Sequence, residues 1–200
     1  LYKDAINKKS NQMNLGTIKS SNLCSEIVQY TSKEETAVCN LASICLPQFI
    51  KNSVFDFKEL RKVAGILTKN LNKVIDNSFY PVPEAETSNK KHRPIGIGVQ
   101  GLADVYILLK MPFDSEQAKN MNKQIFETIY LGAMEESINL AKQHGSPYSS
   151  FDNSPLSEGL FQFDLDTHTH TPTHELYYPD EWCRLRNQVK QHGARNSLLI

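Results

Sequence analysis

The sequence predicts an α/β protein in which long helices separate the strands of a barrel or sheet that the chain holds only in part. Three observations predict it: two long helical periodicities, a short-chained apolar stretch over residues 37–46, and a final apolar run, residues 197–200, that reads as a buried strand cut in mid-course. The first helix follows Asp56, where Leu60, Val63, Ala64, Leu67, Leu71, Val74 and Ile75 recur in steps of three and four. Asp56 caps it, Glu59 completes a capping-box-like start, and Asn77 and Pro81 mark the stop. The second begins near Asp114 and Ser115, after Pro112, carries Ala118, Met121, Ile125, Ile129 and Ala133 inward, and ends at Gly145 before Pro147. Two shorter helices flank it. One spans residues 99–110, and the other follows Pro179 and Asp180, with Trp182, Leu185 and Val189 on one side and Gly193 as its stop. Residues 80–93 and 148–179 are polar and rich in Pro, Ser and Thr, which marks them as loops, and no internal repeat is found.

Composition narrows the function classes. A chain of 200 residues with 40% hydrophobic content can build a core, which excludes wholesale disorder. Lys plus Arg and Asp plus Glu both total 22, so no basic face toward a nucleic acid or an anionic membrane is expected. No apolar run approaches the roughly 18 residues of a membrane span. The opening residues, Leu1-Tyr2-Lys3-Asp4, lack an initiator Met and a basic-then-apolar leader, as expected of a piece or processed form of something longer. Four cysteines with no C-x-x-C pair indicate neither a disulfide framework nor a zinc ribbon, and a reducing, cytoplasmic location is expected.

The chemistry-bearing residues concentrate early. Asn22-Leu23-Cys24-Ser25-Glu26 sets a carboxamide, a thiol and a carboxylate at alternate positions, and in extended backbone these three share a face. Such a trio offers a group to hold a hydroxyl, a reactive sulfur and a proton acceptor; a strand whose polar side meets water fits the same spacing. Cys39 and Cys45 share parity but lie roughly 20 Å apart if extended, too far to bridge each other. Cys39 either pairs with a cysteine of another strand or is a small buried hydrophobe, and Cys45 and Cys183 are read as buried hydrophobes. Gly96-Ile97-Gly98-Val99-Gln100-Gly101 matches G-x-G-x-x-G, yet the polar stretch before it supplies no buried strand, so it is read as a tight turn with close helix packing that binds no nucleotide. His168, His170 and His174 lack a scaffold of further ligands and are read as a solvated loop, with no metal.

Several blocks together go further. Ser21-Asn22-Leu23-Cys24-Ser25-Glu26-Ile27, Ala37-Val38-Cys39-Asn40-Leu41-Ala42-Ser43, the run from His92-Arg93-Pro94 through Gly101-Leu102-Ala103-Asp104, Lys123-Gln124-Ile125-Phe126-Glu127-Thr128-Ile129-Tyr130 and Arg195-Asn196-Ser197-Leu198-Leu199-Ile200 stand in order at family-like spacing. With these the chain resembles the large subunit of class I ribonucleotide reductase, in its eukaryotic and large-virus branch, over nearly its whole length. Residues 151–186 depart most from the pattern. The resemblance implies a partial ten-stranded α/β barrel with a central finger loop near residues 17–30, barrel strands and helices over 37–147, an excursion at about 148–179, and a helix with a truncated strand over 180–200.

The resemblance also implies roles. Cys24 falls on the thiyl-radical cysteine, Glu26 on the carboxylate that takes the 3′-OH proton, and Asn22 on the carboxamide that fixes the sugar hydroxyls, with Leu23 in the same substrate-binding stretch. Cys39 falls on one half of the redox-active pair, whose other half lies outside this chain. No cofactor is expected on the chain itself: the radical comes from a metal-containing small subunit, and ATP and deoxynucleotide effectors bind elsewhere. The implied partners are a ribonucleoside diphosphate, the small subunit, the remainder of a homodimeric large subunit, and thioredoxin or glutaredoxin. The isolated segment is expected not to turn over. Two other readings stand beside this one: a noncatalytic scaffold piece of the same family, and an enzyme using Cys24 as a nucleophile activated by a histidine.

Overall fold

The computed structural model describes residues 2–21, 28–165 and 175–199. Its elements run α1 (Lys3–Lys9), β1 (Leu41–Cys45), a 3₁₀ turn at Leu46–Phe49, the short hairpin β2 (Ile50–Lys51) and β3 (Val54–Phe55), α2 (Phe57–Asn77), α3 (Pro83–His92), β4 (Gly96–Gln100), α4 (Leu102–Leu108), α5 (Glu116–His144) and α6 (Pro179–His192). β1 and β4 are parallel, in register from Leu41 opposite Gly96 to Cys45 opposite Gln100. Parallel neighbours need a long crossover, and α2 with α3 supplies it.

The long helices form where sequence pattern and capping agree. Asp56 accepts the Glu59 N–H at 3.0 Å and opens α2; Ser115 accepts the Ala118 N–H at 3.1 Å and opens α5, which closes on Gly145 in the left-handed region. Leu60, Ala64, Leu71 and Ile75 of α2 meet Ile125, Ile129, Ala133 and Ile138 of α5 in one core, which also takes Ile44, Ile97, Trp182, Leu185 and Val189. Val74 falls outside it and stays 46% exposed near the end of α2. The helices α2 and α5 approach closely at Gly132, where a Cβ would run into the Arg61 carbonyl oxygen and the Ala64 methyl.

Among the described residues there are one parallel pair and one separate hairpin, and no closed barrel, which does not conflict with a barrel held only in part. Several sequence expectations need correction. The glycine run is not a turn: its residues 96–100 are β4 itself, so the following helix begins at Leu102 rather than near Val99. Gly101 alone makes the turn, at φ +77°, where a side chain would meet Pro47. The supposed loop at 80–93 contains α3, whose polar residues Ser88, Asn89 and His92 are buried rather than solvated, Asn89 and His92 with hydrogen-bond partners. The strand-like stretch 37–46 shortens to β1, because Val38 spends its carbonyl on the Gln29 side chain (3.0 Å) instead of a neighbouring strand. Residues 197–199 carry no strand ladder, although the Leu198 carbonyl accepts the Ile95 N–H at 3.1 Å while the adjacent Gly96 N–H goes to Asn40 on the other side. Cys45 and Cys183 are exposed, not buried: Cys45 lies on the face of β1 opposite Ile44, and Cys183 is rotated off the inward stripe of α6 set by Trp182, Leu185 and Val189.

The close approach at Gly132 yields a stability prediction. Gly132→Ala should lower the unfolding free energy by about 1–3 kcal/mol despite the better helix propensity of alanine, since the helices must separate to admit the methyl. Urea unfolding of the intact protein measures this, and a neutral or stabilising result would show that α2 and α5 can slide apart freely.

Candidate active site

β1 and β4 make a ribbon with two unlike faces. Ala42 and Ile44 with Ile97 and Val99 turn toward the core, while Leu41, Ser43 and Cys45 with Gly98 and Gln100 are exposed on the other side. The alternation continues one step upstream: Asn40 is buried and Cys39 is exposed. A cavity of about 660 Å³ adjoins these strands, lined by Leu41, Ser43, Gly96 and Gly98 and walled by Lys9, Val28, Gln29, Gln162 and Leu198. Glycine at 96 and 98 leaves that part of the lining without side chains. A second cavity, of about 440 Å³, lies against α5 at Phe126 and Tyr130 and shares Lys9, Gln162 and Leu198 with the first.

The walls are fixed by buried polar side chains that no periodicity announces. Asn40 donates to Asn89 Oδ1 (2.6 Å) and to the Pro94 carbonyl (2.8 Å), tying the start of β1 to α3 and to the entry of β4. Arg93, 4% exposed and left-handed at φ +47°, ends α3 and places its guanidinium on Asp76 (2.7 and 3.0 Å) and on Asn72. That hydrogen-bonded guanidinium holds the Asp76 carboxyl below the usual carboxylate range. Asn196 pairs reciprocally with Asn72 (2.9 and 3.2 Å), donates to the Arg93 carbonyl (2.8 Å) and accepts from Ser137 (2.9 Å). Asn11 donates to Tyr148 (2.9 Å) and to the Ser197 carbonyl (2.8 Å), and burial pushes the Tyr148 phenol up to about 12.

A further buried chain anchors the segment between Val28 and Cys39. His92 Nε2 lies 2.7 Å from Glu35 Oε2, and His92 Nδ1 lies 2.6 Å from Ser150 Oγ. A carboxylate only accepts, so Nε2 carries the proton and the Ser150 hydroxyl donates to Nδ1. Burial pushes the His92 imidazole below its ordinary value against the pull of Glu35, so the ring is neutral at pH 7.

Of the residues singled out from sequence, Cys39 is described and is exposed two positions before β1. Asn22, Leu23, Cys24 and Glu26 lie outside the described residues, as do His168, His170 and His174. Among the described residues no group of three or more His, Cys, Asp and Glu is arranged to hold a metal, and no helix is long and apolar enough to cross a membrane. Sequence reasoning assigned no role to Gln29, Glu35, Asn40, His92 or Asn196. His92, Asn40 and Asn196 stand within the resemblance blocks, which was the one available signal for them.

Comparison with known proteins gives a consistent result. The family model described as "Ribonucleotide reductase, barrel domain" matches residues 1–200. The ribonucleoside-diphosphate reductase large chain of Encephalitozoon cuniculi is 54% identical over 199 residues, covering all of this chain and 25% of that protein. The large subunit of variola virus is 54% identical over 200 residues, with 100% and 25% covered, and large chain 2 of Saccharomyces cerevisiae is 53% identical over 206 residues, with 100% and 23% covered. The chain thus spans about a quarter of the length of the curated relatives it matches.

Two predictions come from the polar walls. Asn196→Ala orphans buried groups of Asn72, Ser137 and Arg93, each worth about 1–3 kcal/mol, and should destabilise the intact protein by at least about 2 kcal/mol in denaturant unfolding. His92 supplies a pH signature. Unfolded, the ring takes a proton near its ordinary 6.5, whereas folded it does so only at lower pH, so the unfolded state binds more protons in between. Its contribution to stability is therefore complete above 6.5 and is lost as pH falls below that value toward the folded one. The stability advantage of the parent over His92→Gln should shrink between about pH 7.5 and 5.5, and an advantage that grows on acidification would show the sign to be wrong.

Proposed function

The chain belongs to the ribonucleotide reductase family, matching the barrel domain of its large subunit end to end, and from that premise we propose that it forms part of the catalytic barrel of a ribonucleoside-diphosphate reductase. The observation that carries this reading is the whole-chain match at 52–54% identity to large subunits of microsporidian, viral, yeast and protozoan origin. In this reading β1 and β4 are neighbouring strands of the ten-stranded barrel, their open face is part of its interior, and the segment near residues 17–30 is the finger loop. Support comes from Val28 and Gln29, just after the Cys24 segment, which line the same cavity as Ser43 and Gly98.

Cys24 is then the hydrogen carrier. A radical relayed from the metal-containing small subunit removes the thiol hydrogen, and the resulting thiyl abstracts the 3′ hydrogen of the ribose. Sulfur suits this because an S–H bond is close in strength to an activated ribose C–H bond, so the hydrogen can return at the end. Glu26 takes the 3′-OH proton, which weakens the bond at the 2′ carbon, and Asn22 holds the sugar hydroxyls in attacking geometry. The 2′ oxygen leaves as water, taking up the proton that Glu26 accepted. Cys39, with a second cysteine elsewhere in the larger protein, gives up two hydrogens and becomes a disulfide, which thioredoxin or glutaredoxin then reduces. Effectors bind other parts of a homodimeric large subunit, and the site of action is the cytoplasm. An exposed Cys39 suits a thiol that must reach a substrate and then exchange with an external reductant.

The test uses the full-length large subunit assembled with its small subunit and a labelled ribonucleoside diphosphate. Cys24→Ser should abolish both deoxynucleotide formation and base release, because a hydroxyl cannot carry the hydrogen. Cys39→Ser should still allow abstraction and loss of the 2′ hydroxyl, but the unreduced sugar should decompose and release free base. Normal product from the Cys24 variant would end the thiyl reading, and complete silence from both would remove Cys39 as reductant.

A further inference from the structure

The stretch from Val28 to Asn40 has no strand ladder, and a few side chains decide where it lies. Its turn closes on itself: the Ser32 N–H and the Thr31 hydroxyl both donate to the Glu35 carbonyl, at 2.9 and 3.0 Å, and Gln29 Nε2 bonds the Val38 carbonyl across the two arms. One arm leads back to the Cys24 segment, and the other carries Cys39 into β1. Asn40, at its end, is held by Asn89, by the Pro94 carbonyl and by the Gly96 N–H, and further attachments precede it. Tyr30 donates its N–H to Gln12 (2.8 Å) and Thr36 donates its N–H to the Glu84 carbonyl (3.0 Å), while the side chain of Glu35 reaches inward to His92.

Glu35 differs from its surroundings. Lys33, Glu34 and Thr36 are exposed, yet the Glu35 side chain is only 8% exposed and its partner His92 only 1%. Lys91 approaches the same carboxylate from the exposed side at 3.4 Å, and Ser150 holds the far nitrogen of the imidazole. Burying a carboxylate is costly, and an apolar pair of equal volume commonly stabilises a fold as well or better. What the polar pair adds is direction: it accepts one register of the turn and rejects others.

We propose that the buried Glu35–His92–Ser150 chain is a positioning device for the redox thiol, setting the turn 31–35 against α3 so that Cys39 stands where it can reduce the substrate radical. This rests on the reductase reading above. Glu35 and His92 touch no substrate; they act through the arm that ends in Cys39. When that arm is misplaced, Cys24 can still start the reaction and water can still leave the 2′ carbon, but the two hydrogens of the thiol pair arrive late and the sugar intermediate sheds its base.

The experiment measures free base against deoxynucleotide in the full-length large subunit with its small subunit. Glu35→Ala should raise the ratio of base to deoxynucleotide by roughly tenfold, the size expected when one charge-assisted hydrogen bond no longer selects a conformer, with substrate KM little changed. Glu35→Gln, whose amide oxygen can still accept from Nε2, should stay near the parental ratio. An alanine variant that loses both products in proportion, or keeps the parental ratio, overturns the proposal, because a purely structural role does not alter partition. If the alanine variant does not fold, Glu35→Asp supplies the reading: it keeps the charge but withdraws it by one methylene, a ratio above parental is expected, and a parental ratio overturns the proposal. Cys39→Ser runs alongside as the control. If it releases no base, the reductase role of Cys39 has failed, which is distinguishable from an Asp or Ala variant failing beside a control that works.

Discussion

The arrangement depends on where one buried guanidinium can be satisfied. Arg93 ends α3 in a left-handed turn and lies almost wholly inside, so its charge must find a carboxylate and its N–H groups must find acceptors. Asp76 and Asn72 on α2 provide them, and Asn196, already paired to Asn72, takes up the Arg93 carbonyl. Three segments distant in sequence are thereby fixed at one point, which lies directly before β4. A hydrophobic core alone would hold α2 against α5 but would leave the rotation of α3 and the seating of the 195–198 tail loosely defined, since apolar contact has little directional preference.

That division explains what could be read from the sequence. The long helices were legible to within a residue because their signals are local and agree: Asp56 and Ser115 as caps, Gly145 and Gly193 as stops, apolar residues at helical spacing between. The polar layer was not legible. Residues 80–93 read as a loop because they are polar, and nothing in the spacing shows that the partners of Asn89 and His92 wait in segments dozens of residues away. The glycine run misled for the opposite reason. A strand with one face on the core and one on open space needs bulk only at alternate positions, so Ile97 and Val99 were enough, and glycine at 96 and 98 disguised the strand as a turn.

For Cys39 and Cys45, parity carried real information. The alternation that put Cys39 and Cys45 on one face is present, with both exposed and Ile44 turned away. The exposure of Cys45, and of Cys183, was missed because cysteine is commonly a buried residue, and the preference of a residue type says nothing about which face a fold leaves open. The role proposed for Cys39 came from the resemblance, not from its geometry.

Gly98 shows how such an open face is maintained. Its backbone lies outside the left-handed region, and a Cβ added there would meet only the Ala42 carbonyl oxygen, at an ordinary 3.9 Å. Alanine would therefore fit, and by stiffening the unfolded chain it would be expected to stabilise the protein by about 0.4–1 kcal/mol. The residue is not demanded by the fold. What a methyl group would take away is room in the cavity, so the chain forgoes attainable stability at this position to keep a void the width of one carbon.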